Sequence, residues 1–473
     1  MDVCEVSAGE LRAALARREV SAAEVLEAVL DRADRLSEPL NPFAVRLDGR
    51  ARAAAAGADL ALARGTGGPL CGLPVTIKDS HYLAGVSAAS GSRALVDFVP
   101  AQTSAAVERL EAAGAVIFAK TTTPEFCYFG ITESPVNGRT SNPWDLGRTP
   151  GGSSGGAGAA VAAGLGPLAL GGDGGGSIRI PAAFCGVVGF KPTFGLVPRE
   201  PCSPGWKTLV AYGPLARSVD DARLALRALA GRHPRDRHSL GVDGLEATAP
   251  DPAALRAVVS EDLGFAPLDD DVRRAFRAVV GQLEDAGARL IEDTPDLGSS
   301  VIAWSTIATA EARYSEAAHF EHHRTLLGDA AAEFIRYGAH VTRQQYVSAQ
   351  MARDPIHRAY ADLFERSGAS VLLTPTLGLE AFPHGSAHPQ EIGGTTVEPP
   401  WLDWCGLLYD ANLAGLPACA VPIGLGDDGL PVSLQVLGPR GSDGAVLAAA
   451  EAIERLVEFS ARPVAHLTSD PRS

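Results

Sequence analysis

Apolar residues in the first sixty positions of the chain recur at helical spacing. Ser7 with Glu10, and Ser21 with Glu24, have the serine-x-x-glutamate spacing of a capping box, so a helix is predicted to begin after each serine. The second helix carries an apolar stripe, which consists of Val25, Leu26, Val29, Leu30 and Ala33. Its side chains are interpreted as packing residues.

From Gly72 onward the pattern changes to short apolar runs that end at glycine or proline. Residues 73–77 are strand-like and stop at Lys78. Further predicted strands cover residues 115–119, 168–170, 288–292, 372–376, 418–423 and 432–437, and further helices cover 103–113, 157–164, 270–287 and 443–459. Strands that alternate with helices predict an α/β fold with a covered sheet.

Composition narrows the possible classes of protein. The chain has 473 residues, of which 46% are hydrophobic and 21% charged, which excludes a disordered chain. Its net charge of −15 at pH 7 repels phosphate backbones, so no nucleic-acid partner is expected.

The cysteines and the longest uncharged run bear on metal binding and location. The seven cysteines are scattered and lack metal-ligand spacing, so no metal site is predicted and a reducing compartment is expected. The N-terminus lacks the apolar stretch of a signal peptide, and the uncharged run over residues 149–172 contains Pro150 and Pro167. A cytoplasmic protein without a membrane partner is the resulting prediction.

The chemistry is concentrated in residues 150–193, a glycine- and serine-rich segment. It is not a flexible linker, because its glycines bracket a helix pattern and an apolar strand. It contains neither a phosphate-binding P-loop nor a Gly-x-Ser-x-Gly elbow around Ser177. Gly174, Gly175 and Gly176 precede Ser177 directly, and their amide groups could point into one concavity that suits a developing oxyanion.

This segment resembles the defining motif of the amidase signature family, with GGSSGG followed by D-x-GGSIR-x-PA. Residues 72–79, reading GLPVTIKD, resemble the family segment that ends in the catalytic lysine. Similar pieces occur at residues 123–126, 142–145, 412–417 and 429–435, so the resemblance covers about residues 5–460. It implies the amidase signature fold, with a large mixed, mostly parallel sheet covered by helices on both faces.

The resemblance also implies roles for individual residues. Ser177 matches the nucleophile, Ser153 the relay serine that follows a cis peptide bond, and Lys78 the general base. The implied oxyanion hole comprises the amides of Gly174, Gly175, Gly176 and Ser177. A lysine must lose its charge through burial to act as a base near neutral pH.

Other motif residues are expected to support the site. Asp79, Ser154, Asp173 and Arg179 match positions that hold the loops, and Lys191 is interpreted as structural. His81 lies three residues from Lys78, but since the motif supplies its own base, it is expected to line the pocket or lie at the surface.

The substrate pocket is expected to include Cys127, Tyr128 and Phe129, which resemble residues that line the acyl side in similar enzymes. Ordinary core packing is the alternative role for these side chains. Residues 202–208 are expected to reach the mouth of the pocket. Three tryptophans in the second half of the chain are candidates for a hydrophobic wall: Trp304, Trp401 and Trp404.

The whole chain, residues 1–473, is predicted to be one domain. N-terminal helices cover about residues 5–65, a catalytic core about 66–230, a variable specificity region about 231–400 and a return to the sheet about 401–465. The polar stretch over residues 235–252 is interpreted as a surface excursion within that domain.

The resemblance implies an amidase that cleaves a small hydrophobic or aryl amide through an acyl-enzyme, with esters, anilides or carbamates as further substrates. It implies no cofactor, and it leaves open whether the protein is a homodimer. One alternative is the glutamine-hydrolysing amidase subunit of a tRNA amidotransferase. The sequence argues against it, because the stretch after Thr193 lacks the SSLDQ-type sequence associated with that protein. A non-catalytic scaffold is the other alternative, and the presence of all three catalytic-type residues argues against it.

Overall fold

The computed structural model describes residues 2–397 and 403–463. Trp401 therefore lies outside the described residues. The helices are α1 (Ala8–Ala16), α2 (Ala22–Leu40), α3 (Asp48–Ala63), α4 (Ala105–Ala112), α5 (Gly155–Ala162), α6 (Arg179–Cys185), α7 (Val219–Leu229), α8 (Asp270–Asp285), α9 (Val301–Ser315), α10 (Ala317–His322), α11 (Asp329–Gly338), α12 (Arg343–Met351), α13 (Arg353–Ser367), α14 (Tyr409–Leu413) and α15 (Asp443–Val457).

The strands are β1 (Phe43–Arg46), β2 (Pro74–Lys78), β3 (Val116–Thr121), β4 (Glu133–Ser134), β5 (Gly138–Arg139), β6 (Leu168–Asp173), β7 (Val188–Lys191), β8 (Ala211–Ala216), β9 (Arg256–Val259), β10 (Arg289–Glu292), β11 (Val371–Pro375), β12 (Glu391–Ile392), β13 (Thr395–Thr396), β14 (Ala418–Leu425) and β15 (Pro431–Leu437). Eleven of them form one sheet in the order β1-β3-β2-β6-β8-β7-β14-β15-β11-β9-β10. The short strands form two separate pairs, β4 with β5 and β12 with β13.

The sheet confirms the predicted α/β fold and its mixed character. Parallel pairing occurs in two groups, β3-β2-β6 toward one edge and β11-β9-β10 at the other. The strands between these groups pair antiparallel, as β1 does with β3. The parallel arrangement that the resemblance implies is thus restricted to the outer parts of the sheet. The central strands β8, β7, β14 and β15 pair antiparallel with their neighbours.

Helices cover both faces of the sheet. Leu372 and Leu373 are neighbours on β11, yet they belong to different buried clusters, because successive side chains of a strand point to opposite faces. The cluster of Leu373 includes side chains from α1 to α4, α7, α8 and α15. The cluster of Leu372 includes side chains from α6, α9 and α11 to α14.

The local signals in the sequence predict these elements well. Both capping boxes are present, with the Ser7 hydroxyl accepting from the Glu10 amide and the Ser21 hydroxyl accepting from the Glu24 amide. Each predicted strand and helix named above has its counterpart, with ends that differ by a few residues.

Three further properties follow from the described residues. None of their helices is both long enough and apolar enough to cross a membrane. None of their histidine, cysteine, aspartate and glutamate side chains form a group of three or more that could hold a metal ion. The seven cysteines are free thiols.

Candidate active site

The candidate site lies where two neighbouring parallel strands end. Strand β2 ends at Lys78, and β6 ends at Asp173, directly before the three glycines and Ser177. Since the carboxyl ends of parallel strands share one edge of a sheet, the fold brings these two distant segments together. Ser153 is added by the loop that leads into α5.

Lys78 and Ser153 are in direct contact. The Lys78 Nζ lies 2.6 Å from the Ser153 Oγ, and the peptide bond between Gly152 and Ser153 is cis. Both side chains are buried, with 2% and 1% of their surfaces exposed. Ser177 lines the same cavity as these two residues.

The environment of Lys78 favours its neutral form. Burial lowers the pKa of Lys78 from its ordinary value, and this outweighs the opposing influence of Cys127 and Asp173. A neutral amine beside a hydroxyl can accept that hydroxyl's proton. The geometry therefore places a candidate base beside Ser153.

The loop that carries Ser177 is held by Asp173. The Asp173 carboxylate accepts hydrogen bonds from the amides of Gly176 and Ile178, at 2.7 Å and 3.2 Å. The loop is also tied to the Ser153 loop, because the Ser154 amide donates to the Ser177 carbonyl at 3.2 Å. The nucleophile candidate and the relay candidate are thus fixed relative to each other through the backbone.

Arg179 anchors this network. Its guanidinium forms a two-pronged ion pair with Asp173, with Nε–Oδ2 at 2.9 Å and Nη2–Oδ1 at 3.0 Å. It also donates to the side chains of Asn412 and Gln435, both at 2.7 Å. Although burial alone raises the pKa of Asp173, the adjacent Arg179 charge holds it below its ordinary value.

The geometry changes the expected set of oxyanion donors. The Gly176 amide is directed at Asp173, so it is not available to an oxyanion, contrary to the expectation from the sequence. Within residues 2–397 and 403–463, no acceptor is bonded to the amides of Gly174, Gly175 or Ser177. These three remain as candidate donors.

Asp79 and Ser154 contact residues of strands β3 and β6. Asp79 forms a buried ion pair with Lys120, with 3.2 Å between Oδ1 and Nζ, and Lys120 also donates to the Ser87 carbonyl. The Ser154 Oγ lies 3.4 Å from both the amide and the carbonyl of Gly172.

Two cavities flank Ser177. The larger, of ≈ 80 Å³, contains the polar groups Lys78, Ser153 and Arg199. The smaller, of ≈ 20 Å³, has aromatic rings for half of its lining residues. Cys127, Tyr128, Ser177 and Trp206 border both cavities, and Phe129 borders the smaller one.

Tyr128 is part of an aromatic stack that spans distant parts of the chain. Its ring contacts Trp206 and Phe334 at centroid distances of 5.7 Å and 4.7 Å, and those two rings lie 6.3 Å from each other, so the three form one cluster. The stretch over residues 202–208 reaches the larger cavity through Cys202, Ser203, Gly205 and Trp206, as expected from the sequence.

The described tryptophans of the second half have different roles. Trp304 is a wall of the smaller cavity, and its indole N–H donates to the Gly174 carbonyl at 2.7 Å. Trp404 does not line either cavity; it is buried and stacks on Phe184 at 6.1 Å. The expectation that Trp404 lines the pocket is therefore wrong.

His81 and Lys191 are both buried. The expectation that His81 lines the pocket or lies at the surface is wrong, because its ring is fully buried against Tyr212 at 4.1 Å. Burial lowers the pKa of His81 to about 3, with Lys78 and Lys120 acting in the same direction. Lys191 donates to the Pro192 carbonyl, and burial lowers the pKa of Lys191 to about 7.

Several cavity residues were missed by sequence reasoning. Arg199, Tyr212, Ser315 and Glu316 line the larger cavity, and Phe334 and Tyr409 line the smaller one. The helical pattern around Phe334 indicates burial, but it does not indicate which cavity the ring reaches. A carboxylate and a serine at the end of α9 carry no recognisable motif.

Known proteins match this chain over nearly its full length. The sequence profile of the family described as Amidase matches residues 24–447. The chain is 35% identical to a glutamyl-tRNA(Gln) amidotransferase subunit of Gloeobacter violaceus, over 96% of this chain and 97% of that protein. It is 34% identical to an acylamidase of Rhodococcus erythropolis, over 95% of each.

The fold agrees with these matches. The crystal structure of a bacterial aryl acylamidase, one of the amidase signature enzymes, superposes with a TM-score of 0.89 and 30% sequence identity, and 96% of each chain is covered. The chain is thus a hydrolase of the Amidase family and has the amidase signature fold.

Proposed function

We propose that the protein is a free-standing amidase that hydrolyses a small amide through an acyl-enzyme on Ser177. The observation that carries the proposal is the buried contact of 2.6 Å between the Lys78 Nζ and the Ser153 Oγ, in the cavity that Ser177 also lines. A candidate base whose pKa is lowered by burial contacts a relay hydroxyl that shares a cavity with the nucleophile candidate.

The first half-reaction uses all three side chains. Neutral Lys78 accepts the Ser153 hydroxyl proton while Ser153 accepts the Ser177 proton, and the Ser177 Oγ attacks the amide carbonyl. The resulting oxyanion receives hydrogen bonds from the free amides among Gly174, Gly175 and Ser177. The proton returns along the same path to the leaving nitrogen as the C–N bond breaks.

The second half-reaction repeats this path with water. Water loses a proton toward Lys78 and attacks the acyl carbon. The acyl–oxygen bond then breaks as the proton passes to the Ser177 Oγ, which restores the hydroxyl and releases the acid. Because attack and oxyanion stabilisation do not depend on the leaving group, esters, anilides and carbamates are further proposed substrates.

The aromatic walls support a small hydrophobic or aryl group as part of the substrate. Tyr128, Phe129, Trp304 and Phe334 border the smaller cavity beside Ser177. Flat rings favour stacking with another ring. Since the smaller cavity of ≈ 20 Å³ has room for about one water, the proposed aryl group would lie where the two cavities meet, beside Tyr128 and Trp206.

The amidase subunit of a tRNA amidotransferase is the second candidate. Relatives named as part of the glutamyl-tRNA(Gln) amidotransferase match nearly the whole chain at 34–37% identity. The sequence after Thr193, which lacks the SSLDQ-type stretch, argues for the free-standing enzyme, as does the Asp-Gly-Gly-Gly-Ser sequence at residues 173–177.

One experiment separates the two candidates. The purified chain, without any partner, is incubated with p-nitroanilides, aryl amides, esters and carbamates, and separately with glutamine, beside the Ser177→Ala variant. Release of amine from aryl amides that requires Ser177 supports the free-standing amidase. Ser177-dependent ammonia release from glutamine alone would contradict it and support the amidotransferase reading.

A further inference from the structure

Glu316 is an acidic group in the wall of the larger cavity. It lies between α9 and α10, only 6% exposed, and it lines the cavity that holds Lys78 and Ser177. The proposed acyl transfer does not use a carboxylate at this position. Its presence therefore calls for a separate explanation.

The carboxylate has no cationic partner of its own. Among the described residues, no lysine or arginine nitrogen lies within 4.0 Å of its oxygens, and the nearest basic group is the His319 Nε2 at 4.0 Å. Burial and the neighbouring His323 lower the pKa of His319, which favours the neutral form of its ring. A buried carboxyl without a cationic partner is partly protonated near pH 7, and an ammonium group supplied from outside would favour its charged form.

The neighbours of Glu316 do little to offset its charge. Ser315 has one hydroxyl proton, and its Oγ lies within hydrogen-bond distance of the Glu311 and Ala312 carbonyls, at 3.0 Å and 3.3 Å. Glu125 is a second carboxylate nearby. Burial raises the pKa of Glu316 to about 7, and Glu125 adds to this while Ser315 opposes it.

Arg199, a cationic residue of the same cavity, contacts groups other than Glu316. Its guanidinium donates to the Lys207 carbonyl and lies over the rings of Phe194 and Tyr212, at 5.7 Å and 6.0 Å. Glu316 thus remains the acidic group of the larger cavity that is available to a ligand.

We infer that Glu316 is a specificity-determining residue that binds an ammonium group of the substrate in the larger cavity. The inference rests on the proposed amidase function and adds a substrate class to it: small amides with a primary amine on a short arm. The ammonium group would donate charge-assisted hydrogen bonds to the carboxylate. The volume of ≈ 80 Å³ limits the arm to a few atoms.

The test compares isosteric substrates that differ in charge. One pair places the amine on the acyl part, β-alanyl p-nitroanilide against butanoyl p-nitroanilide. The other pair places it on the leaving group, N-acetyl-4-(aminomethyl)aniline against N-acetyl-4-ethylaniline. In at least one pair, kcat/KM of the cationic member is expected to exceed that of the neutral member about tenfold or more, as for hydrogen bonds to charged groups.

Glu316→Gln is expected to abolish this preference, mainly through a higher KM for the cationic substrate. Glu321→Gln is the matched control, because Glu321 lies on the adjacent helix α10 and pairs with Arg313 outside the cavity. The Glu321→Gln variant should prefer the cationic substrate, by the ratio of kcat/KM values, to the same extent as the wild type. A preference that survives in Glu316→Gln, or no preference in either pair, would overturn the inference.

A binding measurement keeps the inference separate from the proposed function. Benzylamine and benzyl alcohol are titrated calorimetrically into the Ser177→Ala chain, with and without Glu316→Gln. Benzylamine binding that requires Glu316 supports the ammonium site even if none of the four amides is hydrolysed. That result would contradict the proposed amide substrates but not the ammonium site. Equal binding of benzylamine to Ser177→Ala with and without Glu316→Gln would refute the ammonium site.

Discussion

The segment over residues 150–193 and the helical region from α9 to α13 build the same site in opposite ways. In the first, Ser153, Asp173 and Ser177 are buried and are fixed by hydrogen bonds to neighbouring backbone or side chains. In the second, the helices keep an exposed side, with Ile302 and Tyr314 more than three-quarters exposed, and send only a few side chains to the cavities.

This difference fits a division of roles, in which residues 150–193 carry out the proposed catalysis and the helices recognise the substrate. Proton transfer requires atoms held within a few tenths of an ångström, so its residues come from a dense network. Recognition of a small group needs only a ring or a charge at the correct wall, which one side chain of an amphipathic helix can supply. We therefore expect substitutions in the first region to abolish turnover or folding, and substitutions in the second to change substrate preference.

The largest effect is expected for Ser177→Ala. Loss of the proposed nucleophile should lower kcat by about 10⁴-fold or more, since covalent catalysis is removed as a whole. The thermal unfolding midpoint should stay near that of the wild type. Steady-state kinetics and circular dichroism check both statements.

The control for Ser177→Ala is Ser203→Ala, which removes a hydroxyl from the wall of the same cavity at its exposed side. Its kcat should remain within a few-fold of the wild type. Equal losses in the two variants would show that the proposed nucleophile has no special role.

The pH dependence of kcat should report Lys78. Since burial lowers its pKa, the neutral, proton-accepting form becomes available as the pH rises through a value below the ordinary 10.4 or so of a free lysine. The rate should therefore fall on the acidic side and reach a plateau on the basic side, as measured by kcat over pH 5–10.

Lys78→Arg is the companion variant, because arginine keeps its proton throughout this range. It should lose turnover at every pH. A rate that still rises along the wild-type curve in this variant would assign the titration to another group.

Asp173→Asn should strongly reduce stability. The substitution leaves the fully buried Arg179 charge without its carboxylate, and breaking a buried pair of this kind costs about 3–5 kcal/mol. Urea unfolding measures the change. Asp427→Asn removes the partner of Arg274 at the surface and should leave stability nearly unchanged. Similar costs in the two variants would contradict the buried network.

The smallest effect is expected for Phe334→Leu in the helical region. The change removes a ring that stacks on Tyr128, a contact of about 0.5–1.5 kcal/mol. KM for aryl amides should rise several-fold, while kcat/KM for a small aliphatic amide should change little. Kinetics with paired aryl and alkyl acyl groups test this, and an equal loss for both would assign Phe334 to general stability.

The sequence predicted the site residues of the 150–193 segment better than those of helices α9 to α13, and the reason is physical. Ser153, Asp173 and Ser177 belong to one continuous motif, and Asp173 bonds to the nearby Gly176, Ile178 and Arg179, so the sequence could place them together. The capping boxes at Ser7 and Ser21 are likewise local signals. Glu316 and Phe334 reach the site only through tertiary packing, which no spacing along the chain encodes.

Two expectations were wrong because burial was not foreseen. His81 follows strand β2 closely, but its ring turns into the core against Tyr212. Trp404 packs on Phe184 behind the site. The sequence also did not predict where the Gly176 amide points. It donates to the Asp173 carboxylate, and this contact depends on the folded conformation of the loop.

The packing of two indoles on the glycine loop has a consequence for redesign of the enzyme. A Cβ at Gly174 would come within 2.5 Å of Trp206, and one at Gly175 within 2.6 Å of Trp304. The same tryptophans border the smaller cavity. A library that enlarges this cavity at Trp206 or Trp304 would thus also loosen the backbone that is proposed to stabilise the oxyanion, so new specificities are better sought first at Phe334 and Glu316.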